Sequence, residues 1–253
     1  MDFIQALILG LLQGLTEWLP ISSSGHLAIA QKLMSLTIPV GFYAMLHFGT
    51  LIAVVAFFFD DIKKIFRSLA RRDEKGENFK IFIKVLIGLI PTAIIALLFL
   101  DFLESLFSNL MAVGIGFLIT GALLLLSKFG KGNKRLTRLD CLLIGVAQGI
   151  SIVPGISRSG STISTGLFRG VKKEEIFKYS FLLSIPVVIG WVILEYNVLL
   201  ICDFSVYSVI GMLVSAVSGF IAIKIVYRML MSEKIYLFAT YCFILGIITI
   251  AVL

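Results

Sequence analysis

The chain has 253 residues, 59% of them hydrophobic and 15% charged, with a mean hydropathy of +1.05 and a formal net charge of +7. A water-soluble domain of this size carries about a quarter charged residues and under half apolar ones, so most of this chain belongs in lipid and no sizeable soluble catalytic domain fits. The 22 Lys and Arg sit in a few short stretches instead of covering one face, which excludes a nucleic-acid-binding surface.

The first apolar run starts Met1-Asp2-Phe3, with no basic n-region and no small-x-small site, and is expected to stay in the mature fold. It breaks at Leu19-Pro20-Ile21-Ser22-Ser23-Ser24-Gly25-His26, and the next stretch, 24–36, is too short to cross a bilayer core of about 30 Å. Full-length spans are expected at 42–59, 80–100 and 109–128. A second broken element follows, with arms at 141–153 and 160–169 around Val153-Pro154-Gly155-Ile156-Ser157-Arg158-Ser159-Gly160, and then spans at 178–197, 206–224 and 235–253. Backbone broken by Pro, Gly and Ser is tolerated at membrane depth only where other helices bury it or it lines a wet cavity, so both broken elements read as re-entrant helical hairpins.

Residues 60–84 hold eight Lys and Arg, 128–138 five, 169–178 four and 224–234 three; only Lys32 and Arg158 lie elsewhere. Basic residues confined to short loops place those loops in the cytoplasm. The stretches 101–109 and 195–203 carry acidic residues and no Lys or Arg, and are assigned outside. Cys141, Cys202 and Cys242 are widely spaced in apolar runs, offering neither a metal pair nor a disulfide framework, and read as small packing residues.

Sliding the chain on itself by 135 positions aligns Gly10, Gln13, Gly14, Ile21, Ser22, Ser24 and Gly25 with Gly145, Gln148, Gly149, Ile156, Ser157, Ser159 and Gly160. A weaker echo pairs Ile52-x-Val54-Val55 with Ile185-x-Val187-Val188. Each half is then one hairpin followed by three spans, and the odd number inverts the second half relative to the first. The expected fold is an all-α polytopic membrane protein with an inverted-topology repeat, six transmembrane helices and two re-entrant helical hairpins. Residues 1–253 form a single integral membrane domain, with repeat one at about 1–135 and repeat two at about 136–253. In such an architecture the two hairpin tips meet near the midplane and direct helix N-termini into one cavity suited to an anion. GxxxG at 10–14 and 145–149 reads as close helix packing.

Ionisable groups at membrane depth are costly, so Glu17 and Arg158 are functional candidates and each other's counter-charge. Gln13 and Glu17, four apart, share a helix face. A structural ion pair is the plainer reading of Glu17 and Arg158, but their place beside duplicated Ser-Gly breaks favours function. Ser22 and Ser157 suit helix caps, whereas Ser23 and Ser159 are more open. His26 suits either a hydrogen-bonded turn or chemistry; His47, alone in an apolar run, reads as structural, and Gln148 as a helix-bridging amide. A buried carboxylate, a histidine, hydroxyls and an arginine fork together suit phosphoryl transfer: the fork matches phosphate, and a serine activated by Glu or His can attack phosphorus. A carboxylate with an amide oxygen can also hold a divalent cation on a phosphate. Reached through a bilayer, the phosphate ester is a lipid.

Gln13-Gly14-Leu15-Thr16-Glu17 running into Pro20-Ile21-Ser22-Ser23-Ser24-Gly25-His26, together with Pro154-Gly155-Ile156-Ser157-Arg158-Ser159-Gly160, closely resembles the undecaprenyl-diphosphate phosphatases of the BacA/UppP type, over nearly the whole chain. The family's (E/Q)xxxE motif falls on Gln13 and Glu17, its serine-glycine-histidine turn on Ser23 to His26, and its PGxSRSxxT motif on Pro154 to Thr162. The resemblance implies hydrolysis of the terminal phosphate of a polyprenyl diphosphate carrier lipid, recycling of that lipid for cell-wall polysaccharide synthesis, and bacitracin resistance. It further implies a divalent cation, Mg2+ or Ca2+, at Glu17 and Gln13, and a plasma-membrane location with the site open to the extracytoplasmic side. Ser23, Glu17, His26 and Arg158 would be catalytic, with Ser23 preferred as nucleophile over His26. Arg158, Ser157, Ser159, Gly160, Ser24, Gly25 and Gln148 would bind substrate. Many members have Glu where this chain has Gln13, which weakens metal ligation there and leaves more of it to Glu17. The partners implied are the lipid and the bilayer, with no nucleic acid and room for a homodimer.

Two other readings compete with this one. The PAP2 type of lipid phosphatase has a histidine six residues beyond its Ser-Arg arginine, where this chain has Ser164, and a Lys-x6-Arg-Pro motif that is absent here. A polyprenyl-phosphate flippase would share the inverted repeat and broken helices; phosphate release separates the two.

Overall fold

The computed structural model describes residues 2–106, 109–130, 132–194 and 205–252, and apart from one isolated β-bridge between Lys134 and Val171 their regular structure is helical. The chain runs α1 (Phe3–Trp18), α2 (Ser23–Leu33), α3 (Val40–Phe57), α4 (Phe59–Ala70), α5 (Glu77–Ser105) and α6 (Leu110–Ser127). It continues through α7 (Arg138–Ile150), α8 (Arg158–Phe168), α9 (Lys173–Leu194), α10 (Val206–Met231) and, after a 3-10 turn at Ile235–Leu237, α11 (Phe238–Val252). Among the described residues, five stretches are long and apolar enough to cross a membrane: Val40–Phe57, Glu77–Phe99, Leu110–Ser127, Val206–Met231 and Ile235–Val252. The protein is a multi-pass membrane protein. The expected span 178–197 overlaps α9 over 178–194, α9 is not among these five, and 195–197 lie outside the described residues. The expected outside loop at 195–203 lies outside the described residues, as do 107 and 108 of the other.

The helix breaks follow from local chemistry. In α1, Asp2 caps the start, its side chain accepting from the Gln5 N–H while Gln5 reaches back. Pro20 then forces Leu19 into an extended conformation and stops the helix. Thr137 and Asp140 form the same reciprocal cap on α7. Ser157 and Ser22 cap α8 and α2 by accepting from Gly160 and Gly25, at 3.1 and 3.4 Å. Ser22 has φ +67, a left-handed conformation that a non-glycine residue occupies only under constraint.

Packing crosses between the two halves of the chain: α1 lies on α10, and α7 on α5. Both contacts depend on missing side chains. A Cβ at Gly10 would come within 2.6 Å of the Gly211 carbonyl oxygen, and one at Gly145 within 2.1 Å of the Gly88 carbonyl oxygen. The two breaks face each other: Ser159 Oγ donates to the Leu19 carbonyl at 3.3 Å, and a Cβ on Gly25 would meet Gly155 Cα at 3.1 Å. Trp18, Phe177, Phe181, Phe57 and Phe58 form an aromatic core beside them.

The four basic stretches gather at one end of the bundle, tied by ion pairs. Asp140, buried, takes Lys134 at 2.9 Å and Arg169 at 2.8 Å; Lys178 reaches Asp61 at 2.6 Å, and Lys173 pairs with Glu233. The stretch 60–84, expected as a loop, differs in containing α4. Its charges mark the loop, but Ile62 and Ile65 recur at helical spacing and pack inward, so the segment gains by coiling.

Candidate active site

Three side chains converge on one carboxylate. Glu17 sits in the last turn of α1, and Gln13 one turn earlier on the same face. Ser23 opens α2 and Arg158 opens α8. Arg158 Nη2 donates to Glu17 Oε1 at 2.6 Å; Ser23 Oγ donates to Oε2 at 2.6 Å, and Gln13 Nε2 to the same oxygen at 3.1 Å. The guanidinium carbon lies 4.8 Å from the centre of the Trp18 ring, so Arg158 is held from the side by an aromatic face and at its tip by a carboxylate. Trp18 is in turn stacked on Phe181 at 5.2 Å.

Glu17, Ser23 and Arg158 border a cavity of about 200 Å³. Glu17, Ser22, Ser23, Ser24, Ser157 and Arg158 line its polar side, and Gln148, Thr92 and Ser151 a second wall. Ser24 Oγ lies 3.2 Å from Ser22 Oγ. Gln148 donates to Thr92 Oγ1 at 3.2 Å, which ties α7 to α5 as a helix-bridging amide does. Ile152, Ile156, Val187 and Val188 supply apolar surface.

The remaining sequence candidates stand behind this lining. Gln13 is fully buried, Ser159 points to the Leu19 carbonyl, and the Gly25 and Gly160 N–H groups are taken by the capping serines. His26 turns the other way. Its Nδ1 donates to the Ser22 carbonyl at 2.7 Å, which leaves Nε2 to accept from the Tyr241 hydroxyl at 2.6 Å. His26 and Tyr241 instead border a separate apolar groove between α1 and α11, lined by Leu11, Leu15 and Phe238.

Three cavity residues, His47, Trp191 and Thr92, lie outside the functional candidates of the sequence. His47 donates from Nδ1 to the Tyr43 carbonyl at 3.1 Å and presents Nε2 3.9 Å from Glu17 Oε2. Its ring is held between Tyr43 and Trp191, at 5.6 and 4.6 Å between centres. The signal for His47 was the one used for Glu17 and Arg158, an ionisable group inside an apolar span; Trp191 and Thr92 carried none.

Residues 6–248 match the family described as Bacitracin resistance protein BacA. The chain belongs to that family. It is 41% identical to a protein of Korarchaeum cryptofilum over all of both chains, and 42% identical to one of Halothermothrix orenii covering 99% of this chain and 98% of the other. A Methanococcus maripaludis protein is 42% identical over 95% of this chain and 96% of its own length. Each of these three relatives bears the name undecaprenyl-diphosphatase.

Proposed function

We propose that this protein is an undecaprenyl-diphosphate phosphatase, a hydrolase that removes the terminal phosphate of a polyprenyl diphosphate. The observation that carries the reading is one carboxylate, Glu17, bonded at once to a serine hydroxyl and an arginine fork in a cavity between apolar helices. Family membership supports it, and with it recycling of the carrier lipid for cell-wall polysaccharide synthesis and bacitracin resistance.

In this reading Glu17 takes the Ser23 proton as Ser23 Oγ attacks the terminal phosphorus. The bond to the bridging oxygen breaks, and the polyprenyl monophosphate leaves with the electron pair. Arg158 binds the terminal phosphate oxygens, and its charge offsets the charge that develops on them. Glu17 passes that proton to the departing monophosphate, and water then attacks the phosphoserine, giving a proton to Glu17, which returns it to Ser23 Oγ as the P–O bond to serine breaks and inorganic phosphate departs. His26 is a weaker candidate because both ring nitrogens are already occupied. Ser24, Ser157 and Gln148 line the space that the phosphates would fill.

A divalent cation, Mg2+ or Ca2+, fits this site through few protein ligands. Among the described residues no three His, Cys, Asp or Glu side chains cluster around one point. The donors in reach are Glu17 and Gln13 Oε1, a buried oxygen without a hydrogen-bond partner. Mg2+ is commonly held by one or two carboxylates together with substrate phosphates, and a bound cation would supply charge neutralisation to the diphosphate.

The fold reading that accompanies this function has six transmembrane helices, α3, α5, α6, α9, α10 and α11. Two re-entrant pairs, α1–α2 and α7–α8, complete it, in one domain built of inverted repeats of residues 1–135 and 136–253. The exchanged packing of α1 on α10 and of α7 on α5 supports it, as do the lengths of α1, α2, α7 and α8, 11 to 16 residues or about 17–24 Å. The protein would lie in the plasma membrane with its cavity open to the extracytoplasmic side. The deciding assay is phosphate release from a C55 diphosphate by purified protein in detergent. Stoichiometric monophosphate and phosphate support the phosphatase, and no release would overturn it in favour of a transporter.

A further inference from the structure

Helix α4 has no part in the site, yet its surface is unusual. It follows the span α3 with Phe58 alone between them, so it begins where α3 ends. One arc packs on the protein: Ile62 and Ile65 join the core, Ser68 is buried, and Asp61 is paired with Lys178 at 2.6 Å. The opposite arc begins with Phe59 and Phe66, seven residues apart on one line of the helix and 58% and 66% exposed. Beside that line lie Lys63, Lys64, Arg67 and Arg71, all exposed, with Arg72 just beyond. None of these five cations has a carboxylate within ion-pair distance among the described residues; Lys63 instead lies 6.0 Å from the Phe59 ring centre. Asp60 is the one acidic residue exposed on this arc.

Water would not favour two exposed phenylalanines flanked by unpaired cations. The boundary between lipid headgroups and acyl chains favours both, since phenyl rings partition into it and lysine and arginine reach the phosphates above. We propose that α4 lies flat on the leaflet into which α3 emerges, with Phe59 and Phe66 inserted, and that its Lys63, Lys64, Arg67 and Arg71 edge binds anionic phospholipid headgroups. The partner is fixed by chemistry: a row of uncompensated positive charge beside an apolar line matches an anionic bilayer surface, and not an apolar protein face. The site so defined is independent of the phosphatase reading. It ties α4, and through Asp61 and Lys178 the start of α9, to the membrane surface.

The test uses the full chain in nanodiscs, with Cys141, Cys202 and Cys242 replaced and a single cysteine at Phe66→Cys or Glu74→Cys carrying an environment-sensitive fluorophore. One disc composition is phosphatidylcholine alone and the other contains a third phosphatidylglycerol. The expected result is protection of position 66 from an aqueous quencher and quenching by a headgroup-proximal nitroxide lipid, the latter about threefold stronger with anionic lipid. Position 74 should be open to the aqueous quencher in both. Lys63→Gln/Lys64→Gln/Arg67→Gln/Arg71→Gln should abolish the difference between compositions while the protein stays monodisperse. Equal aqueous access at 66 and 74 in both compositions overturns the proposal. So does protection at 66 that is lost when each disc holds one copy, since a second chain would then be the occupant.

Discussion

Arg158 Nη2 lies 2.6 Å from Glu17 Oε1 although 141 residues separate them, and the second carboxylate oxygen is 2.6 Å from Ser23 Oγ. The carboxylate is thus shared between a cation and a serine hydroxyl. In the proposed mechanism a diphosphate entering the cavity would compete for Arg158, and as the guanidinium turned to phosphate, Glu17 would be left to the serine. The pair is a resting arrangement that substrate can open, and each half of it can be tested separately.

Arg158→Lys keeps the charge and loses the planar fork that holds two phosphate oxygens. Losing about 2–4 kcal/mol of charge-assisted contact in the transition state corresponds to a fall of roughly 30- to 1000-fold in kcat/KM. Steady-state phosphate release measures it, and a variant with near wild-type kcat/KM would remove Arg158 from phosphate binding.

Ser23→Ala should reduce turnover by more than about a thousandfold while lipid diphosphate binding persists. His26→Asn should cost far less in kcat than in thermal stability, because His26 joins Ser22 to Tyr241 away from the cavity. If Ser23→Ala loses less than about tenfold and His26→Asn abolishes phosphate release, the two roles are exchanged.

What could be read from sequence was whatever leaves a local chemical trace. Pro20 and Pro154 with their serines announce the breaks: α1 ends at Trp18, just before Pro20, whereas α7 ends at Ile150, ahead of the expected arm end at 153. Glu17 and Arg158 stand out because charge at membrane depth needs a reason. The direction of a side chain leaves no such trace: His26 sits in the motif but turns to Tyr241, 215 residues away, whereas His47 lies outside every motif and borders the cavity. The same limit hid Trp18 beneath Arg158, since a buried tryptophan in an apolar helix looks the same whatever it touches. In α4 two signals competed, loop-like charge and helical apolar spacing, and the packing of Ile62 and Ile65 prevailed.

Asp140 offers a test of stability away from the cavity. Burial opposes its ionisation, but the Thr137 hydroxyl, Lys134 and Arg169 outweigh burial and hold the carboxyl well below the usual carboxylate range. Asp140→Asn should cost about 1–3 kcal/mol, the partners being partly exposed, and lower the thermal midpoint without changing kcat in detergent. A carboxyl depressed in the folded state stabilises above its unfolded pKa of about 3.9, and that contribution is lost as pH falls toward the folded value. The gap between wild type and Asp140→Asn should therefore stay constant from about pH 8 to 5 and shrink below about pH 4. A gap that widens on acidification would contradict the assignment.

The helix crossings can be tested by steric overload. At Gly145 an added Cβ would meet the Gly88 carbonyl oxygen at 2.1 Å, a backbone atom that cannot step aside, so Gly145→Val should separate α7 from α5. The break that carries Arg158 follows α7, so both stability and kcat should fall. Gly190→Val, where nothing lies within 4 Å of the added atom, is the matched control and should change neither by more than about 0.5 kcal/mol.

Membrane orientation gives the widest test, because two independent observations bear on it. By charge, the proposed topology puts the four basic stretches in the cytoplasm. By geometry they lie together, for Asp140 joins 134 to 169, Lys173 joins Glu233, and Lys178 joins Asp61 on α4. Single cysteines at Glu74, Arg135, Lys172 and Ser232, in a background lacking Cys141, Cys202 and Cys242, should therefore resist an impermeant thiol reagent on intact cells and react once the membrane is permeabilised. Cysteines at Asn109 and Ser205, which precede α6 and α10 at the far ends of those helices, should react without permeabilisation. Labelling of all four basic positions with protection of 109 and 205 would invert the orientation and put the cavity on the opposite side. A mixed result within the four would be more damaging, since positions joined by ion pairs cannot lie on opposite sides of a bilayer, and the packing of α4, α7 and α9 around Asp140 and Lys178 would then be wrong.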